Sequence, residues 1–357
     1  MQVQQLWLQD FRSYTDLELT FAPGLVAVVG PNGLGKTNLL EAIGYLATLE
    51  SFRGAPTEVL IRAGADQAIV RGLVERSERE LLIEAELRAK GRGRVQLNRQ
   101  KLSRGRDLVG TVLVSVFAPD DLVLVKGGPS NRRAFVDDLV VGRHRSNDRD
   151  RNELDKVLRQ RNALLKQCRG RLDGAAAATL DVWDTKFAEL GDRWADLRSD
   201  ALAAIRPAVA DAHRDLSAGA ADVTVAYEPV WRGSGLAAAL EASRETDLRR
   251  GVTTIGPHRD EIDIGLAGMP SRTHASQGEQ RTLALSLRLA AHRHLAEVHD
   301  SSPILLLDDV FSELDPSRSA ALLASLPAGQ VFVSTAGPLP VDAAPDQHID
   351  LAVRRAV

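Results

Sequence analysis

The stretch from Val26 to Thr37 constrains this chain more than any other. Val26, Ala27, Val28 and Val29 form an apolar run that reads as a buried strand and stops at Gly30. A glycine-rich turn then ends in Gly35-Lys36-Thr37, and apolar residues recur at helical spacing from Asn38 to Leu49. Strand, turn and helix in this order fit a phosphate-binding loop. Glycines lack Cβ, so successive backbone N–H groups can curl around phosphate oxygens at a helix N-terminus. Lys36 is placed to neutralise β- and γ-phosphates, and Thr37 to offer its hydroxyl to Mg²⁺. The plain alternative is a glycine turn that only links a strand to a helix.

The 357 residues suffice for two domains or for one large domain with an insertion, and 44% hydrophobic content supplies a sizeable core. A net charge of −3 does not by itself suggest a nucleic-acid binder. One cysteine, Cys168, excludes an internal disulfide and makes a reducing, cytoplasmic setting the default. The N-terminus does not read as a signal peptide, and no run approaches the length of a membrane helix, so no membrane association is expected.

The average charge conceals two basic segments. Arg88, Lys90, Arg92, Arg94, Arg99, Lys101, Arg104 and Arg106 are eight basic side chains with no acidic residue between them. Turn signals at Gly91, Gly93 and Asn98 place them on hairpins at the rim of a sheet. They read either as edge protection or as a surface for a phosphate-rich partner, and eight charges exceed what edge protection needs. Between Lys126 and Arg169, twelve Lys or Arg stand against six Asp or Glu, a net +6 on helical sequence.

Strands are expected at 3–10, 16–21, 67–74, 81–88 and 112–117, the pair at 67–88 as an antiparallel annex to the sheet. A helix carrying Leu154, Val157, Leu158, Leu164 and Leu165 is followed by Gly170 and Gly174. A second helix from about Ala176 carries Leu180, Trp183, Phe187, Leu190, Trp194 and Leu197, and Pro207 is expected to kink or restart it. The pair reads as a helical hairpin with its own aromatic core. Strand pattern returns at 223–230, 261–267, 331–334 and 348–353. His258 could serve as a ligand or a catalytic base, though beside Pro257 and two charged neighbours it reads more readily as a satisfied loop histidine, and none of the eight histidines has the spacing of a zinc site.

Two further segments carry chemistry. Ser276 followed by Glu279 is a capping box, yet Gly278 in the first helical turn costs about 1 kcal/mol relative to alanine unless something approaches the backbone closely. A helix cap and a phosphate site are both open readings. The apolar run Ile304-Leu305-Leu306-Leu307 ends in Asp308-Asp309, a carboxylate pair at the C-terminal end of a buried parallel strand. Asp308 is the candidate Mg²⁺ ligand and Asp309 the candidate group that polarises an attacking water.

The helix start at Ser276 lies 32 residues before Asp308, an order that matches the plan of ABC-type ATPases. Within that class the sequence resembles the RecF recombination-repair ATPases, relatives of the SMC heads. The resemblance rests on Asp10 to Tyr14, Gly30 to Ile43, Gly256 to Asp260, Ser276 to Arg281 and Leu307 to Asp315, together with Lys126 to Ser130 and Arg132-Arg133. It implies an α/β fold, an ABC-type head with a mixed sheet, divided as 1–118 and 223–357 around a helical arm at 119–222. Gly30, Pro31, Asn32, Gly33, Leu34, Gly35, Lys36, Thr37, Asn38 and Arg12 would bind ATP. Thr37 and Asp308 would hold Mg²⁺, and Lys36, Asp308 and Asp309 would carry hydrolysis. Ser276, Gln277 and Gly278, with Asp315, would complete the site of the opposite subunit.

The resemblance further implies an ATP-dependent homodimer, a nucleoid-associated location, and slow hydrolysis that releases DNA. RecR and RecO are the implied partners in loading recombinase at gaps. Duplex DNA, single strands and junctions are all candidate ligands. Lys126, Arg132 and Arg133 join the eight basic residues at 88–106 as candidate DNA contacts. Asp309 stands where many ABC ATPases have glutamate, and no histidine follows the strand at 331–334, which leaves Ser334 or Thr335 to sense the γ-phosphate. A transporter's nucleotide-binding subunit and an ATP-stabilised scaffold are the rival readings. The transporter has no use for the basic hairpin or the helical arm.

Overall fold

A computed structural model describes residues 1–108, 110–217, 219 and 221–354. They form two compact units. Met1–Asp121, Asp211–Gly219 and Leu285–Val357 make the first, and Leu122–Ala210 and Ala220–Ala284 the second.

The first unit contains two sheets. Five strands form an all-parallel sheet in the spatial order Gln347–Asp350, Leu25–Val29, Val331–Thr335, Ile304–Asp308, Val114–Phe117. Its inner strands are apolar without alternation because both faces are covered: Val26, Ala27, Val28 and all of Val331–Thr335 are buried. The Lys36–Thr48 helix packs Leu39, Leu40, Ile43 and Leu46 into a core shared with Ile304, Leu306 and Phe332. Each such side chain contributes about 1.5–3 kcal/mol of burial.

The N-terminal strands and the segments expected at 67–74 and 81–88 form their own antiparallel sheet of six strands rather than an annex. Gln2–Phe11 lies between Tyr14–Thr20 and Gln67–Arg76, and alternating Leu6 and Leu8 turn one face to the same core. Arg79–Arg88, Arg94–Leu97 and Gln100–Lys101 extend the sheet to a basic edge. The last strand, expected to run to Val353, ends at Asp350. There the Asp350 carboxylate accepts the amide of Ala352 and turns the chain into the Leu351–Arg354 helix.

The second unit is mainly helical. Pro129–Arg143 and Ser146–Cys168 precede the Gly174–Ser217 helix, whose residues to Ala210 belong here, and Leu236–Arg250 follows. Arg169 and Gly170, both at positive φ, close the hairpin turn. Leu180, Phe187 and Trp194 are buried in the core, while Trp183, Leu190 and Leu197 of the same stripe are half-buried. Pro207 does not restart the helix, which runs through it. Pro207 and the residue four before it, Ala203, both lie on the exposed side, where water can take the carbonyl that loses its donor.

Residues 223–284 fold with the helices instead of with the parallel sheet. Val223–Ala226 pairs antiparallel with Asp263–Leu266, which pairs with Met269–Pro270. The helical unit is therefore larger than an insertion over 119–222.

Candidate nucleotide site and basic surfaces

The loop from Gly30 to Gly35 leaves the parallel sheet at the C-terminal end of the Leu25–Val29 strand. Gly30, Gly33 and Gly35 all have positive φ, the region where L side chains are strained. At Gly35 space forbids a side chain as well, since a Cβ would come within 2.7 Å of Ser13 Oγ. Tyr14 donates its hydroxyl to the Gly35 carbonyl at 2.9 Å, and Asn38 donates to Ser13 Oγ at 3.0 Å. Ser13 and Tyr14 thus brace the loop from the antiparallel sheet. Pro31, Asn32 and Gly33 are exposed, and Leu34 is half-buried. Lys36 is buried, and its ammonium donates to the carbonyls of Gly30 at 2.7 Å and Pro31 at 3.1 Å.

Arg12 is engaged elsewhere. Its guanidinium makes a two-point contact with Glu41, which is wholly buried, and also donates to the Val59 carbonyl. Glu41 is a site residue that the sequence reading missed. The available signal was a carboxylate on an otherwise apolar helical run, Leu39-Leu40-Glu41-Ala42-Ile43.

The acidic pair meets the loop helix directly. Thr37 Oγ1 donates to Asp308 Oδ1 at 2.9 Å, and Ser334 Oγ donates to the same oxygen at 2.6 Å. Burial pushes the Asp308 carboxyl above its usual range, the hydroxyls of Ser334 and Thr37 oppose that, and the neighbouring Asp309 charge adds to it. Asp309 has a φ of 50°, and its amide is bonded to the Ser334 carbonyl and hydroxyl. One carboxylate oxygen of Asp309, Oδ1, is buried with no hydrogen-bond partner. Ser334 is fully buried and turned onto the acidic pair, while Thr335 donates to the Gly337 carbonyl.

A hydroxyl beside a carboxylate, at the mouth of a phosphate-type loop, offers the hard oxygen donors that Mg²⁺ takes alongside substrate phosphates and water. Among the described residues no cluster of three His, Cys, Asp or Glu forms a self-sufficient metal cage. This donor set fits a metal that arrives with a nucleotide.

Asp315, also in the first unit, is exposed and caps the Pro316–Ala324 helix by accepting the Arg318 amide. Ser276 and Gln277 belong to the second unit and are exposed. The capping box forms there: Glu279 accepts the Ser276 amide and hydroxyl, both at 2.7 Å. Asp121 pairs with Arg288 at 2.6 Å.

The basic residues divide into two groups. Lys90, Arg92, Arg99, Lys101 and Arg104 are exposed, and Asn98 and Arg99, both at positive φ, form the two-residue turn between their strands. Arg88 and Arg94 share Glu86, which lies across the sheet from Arg94. The side chain of Arg106 lies outside the described residues. Lys126 is exposed. Arg132 is not a surface residue: it is buried, pairs with Glu261 through two nitrogens and donates to the Gly127 carbonyl. Arg133 is half-buried and donates to the Asp260 carbonyl. His258 Nε2 is bonded to the Thr253 carbonyl at 3.0 Å, while its Nδ1 is buried with no hydrogen-bond partner, so the ring is only half satisfied. No helix among the described residues is long and apolar enough to cross a membrane.

Comparison with known proteins places this arrangement. The chain matches the RecF/RecN/SMC N terminal domain over residues 2–351. It is 41% identical to the DNA replication and repair protein RecF of Streptomyces avermitilis, over 94% of this chain and 93% of that protein. With RecF of Renibacterium salmoninarum the identity is 40%, over 94% of each chain. The solved structure of the recombination mediator protein RecF with ATP, in the RecFOR pathway, superposes with a TM-score of 0.89 at 30% identity, covering 98% of this chain and 95% of that one. An SMC head bound to the C-winged helix domain of ScpA superposes with a TM-score of 0.61 at 19% identity and shares the fold. With its phosphate loop and acidic strand end on an SMC-type ATPase head, the chain belongs to the RecF family.

Proposed function

We propose that this protein is an ATP-gated DNA clamp of recombinational repair. The observation that carries the reading is the meeting of Thr37, Asp308 and Asp309 at the mouth of the loop, with a buried, unpartnered oxygen on Asp309. RecF relatives are named for DNA replication and repair, and one was solved with ATP, which supports the reading.

The residues divide the work as follows. Lys36 exchanges the carbonyls of Gly30 and Pro31 for phosphate oxygens. Gly30, Pro31, Asn32, Gly33, Leu34 and Gly35 cradle the phosphates, with Asn38 behind them. Thr37 and Asp308 would hold Mg²⁺, which would supply positive charge to offset that of the phosphates. Asp309 aligns and polarises the attacking water. Aspartate reaches less far than glutamate, which supports slow turnover. Ser334 fixes the Asp308 carboxylate and the backbone amide of Asp309. Arg12 reaches a phosphate only by leaving Glu41. Ser276, Gln277 and Gly278, with Asp315, serve the site of a second copy, and ATP thereby drives dimerisation. Lys90, Arg92, Arg99, Lys101, Arg104 and Lys126 meet the DNA backbone, so binding is largely independent of sequence and weakens steeply with salt. DNA stimulates hydrolysis, hydrolysis releases DNA, and RecR and RecO act with the clamp in loading recombinase at gaps.

The test is the solution mass with ATP and Mg²⁺, with and without duplex DNA, for the wild type, Lys36→Met and Ser276→Arg. A nucleotide-dependent dimer that binds DNA, and that both substitutions abolish, is expected. A monomer that binds DNA equally well without ATP refutes the gating and returns Ser276 and Glu279 to a helix cap.

A further inference from the structure

The segment Gly256 to Glu261 is held at nearly every residue, although it contains no part of the nucleotide site. Gly256 has a φ of 124°, and a Cβ there would lie 2.8 Å from the Phe187 ring. Arg198 donates to the Pro257 carbonyl at 2.7 Å, and His258 is bonded to Thr253. The Arg259 amide closes a turn onto the Gly256 carbonyl at 2.8 Å. Asp260 accepts from the Tyr227 hydroxyl at 2.7 Å and the Trp231 indole at 2.8 Å, and Glu261 takes both arms of Arg132.

The charges of this knot do not cancel. Arg132, Arg133, Arg198 and Arg259 stand against Asp137, Asp260 and Glu261. All three carboxylates are engaged: Asp137 by Arg198 and the Trp194 indole, Asp260 by Tyr227 and Trp231, Glu261 by Arg132. Arg259 and Glu261 are the exposed residues of the segment; Glu261 is tied to Arg132, whereas the Arg259 side chain has no hydrogen bond or ion pair among the described residues. A buried polar network that fixes its neighbours therefore presents one uncompensated guanidinium on a rigid turn, an arrangement suited to an external oxyanion.

We propose that Arg259 is a phosphate-binding residue, held by the Gly256–Glu261 turn to meet phosphoryl oxygens of a DNA backbone or of a nucleotide. The proposal rests on the reading of the protein as an ATP-dependent DNA binder and adds a contact outside the loop and the basic segments.

The full chain with Arg259→Ala or Arg259→Lys tests it, against a fluorescent duplex of about 30 base pairs with ATP and Mg²⁺, at about 50 to 200 mM salt. Thermal unfolding of Arg259→Ala should match the wild type, because the side chain has no internal partner. A DNA phosphate predicts about tenfold weaker binding for Arg259→Ala and a salt dependence shallower by about one unit, with the slope recovered in Arg259→Lys. A nucleotide phosphate predicts unchanged DNA-independent properties except for an ATP affinity lowered about tenfold. Unchanged affinities for both ligands overturn the proposal, as does a substantial loss of thermal stability, which would make Arg259 part of the knot. Failure of the wild type to bind DNA with ATP refutes the clamp instead, and the ATP measurement then decides the role of Arg259.

Discussion

In the first unit, buried charge gathers beside the phosphate loop, and some of it lacks an opposite charge. Asp308 is held by two hydroxyls, Asp309 Oδ1 has no partner, and Lys36 is bonded to carbonyls of its own loop. In the second unit, the buried arginines are spread between helices and are paired with opposite charge. Arg161, wholly buried, joins Asp184 at 2.6 Å and Asp247 at 2.7 Å, drawing together the Ser146–Cys168, Gly174–Ser217 and Leu236–Arg250 helices. Arg198 similarly ties Asp137 to the Pro257 carbonyl. The contrast separates two uses of desolvated charge. An uncompensated group keeps free energy available for a ligand, whereas a compensated one fixes the mutual positions of elements.

The largest effect expected from that contrast follows Arg161→Ala. Removing the guanidinium leaves Asp247, wholly buried, and Asp184 without their common cation, and breaking such a pair costs about 3–5 kcal/mol. Trp183, Trp194 and Trp231 all lie in the second unit, so urea unfolding followed by tryptophan fluorescence reports it. Loss of less than about 1 kcal/mol would show that the network does not carry the unit.

Acid should act on both units through histidine. Burial lowers His292 in the first unit to about 4, assisted by Arg293. Burial also lowers His258 in the second to about 4, opposed by its bond to the Thr253 carbonyl and assisted by Arg259 and Arg133. Between pH 4 and the ordinary value of 6.5 the unfolded chain binds the extra proton, so stability rises with pH in that window. It is complete above about 6.5 and falls by about 3 kcal/mol per histidine as the pH approaches 4. Urea midpoints of His292→Gln and His258→Gln should each show a shallower decline between pH 7 and pH 5 than the wild type. Parallel declines in all three would exclude these histidines.

What could be read from the sequence was chemistry whose partners are adjacent in the chain. The loop and the Ser276–Glu279 cap depend on neighbours within a few residues and form as their spacing suggests, whereas the acidic strand end draws its partners Thr37 and Ser334 from other elements. Charges whose partners come from another element could not be read. The segment 88–106 has no acidic residue of its own, yet Glu86, two residues from Arg88 on the same strand, also takes up Arg94 through strand pairing. Arg132 and Arg161 count toward the net +6 of the helical segment, but burial against Glu261, Asp184 and Asp247 removes them from the surface. Residues 223–284 look like a return to the head because strand pattern resumes there, and only pairing register shows a separate small sheet. Periodicity specifies an element's type without specifying its partner.

The smallest structural effect is expected where neither use of buried charge applies. Arg92 is exposed on the loop between Arg79–Arg88 and Arg94–Leu97, with no carboxylate partner among the described residues. Arg92→Ala should therefore change unfolding stability by less than about 0.5 kcal/mol, the range of surface substitutions away from special features. If the hairpin meets DNA, the same substitution should weaken duplex binding uniformly across sequences and lower the salt slope by about one unit. Arg88→Ala should act more weakly on binding, because Glu86 already holds part of that charge. Binding equal to wild type in Arg92→Ala would leave the hairpin as edge protection. Equal losses in Arg92→Ala and Arg88→Ala would show that DNA displaces Glu86 from Arg88, and exposed pairs are weak enough, at about 0.2–1 kcal/mol, for a phosphate to do so.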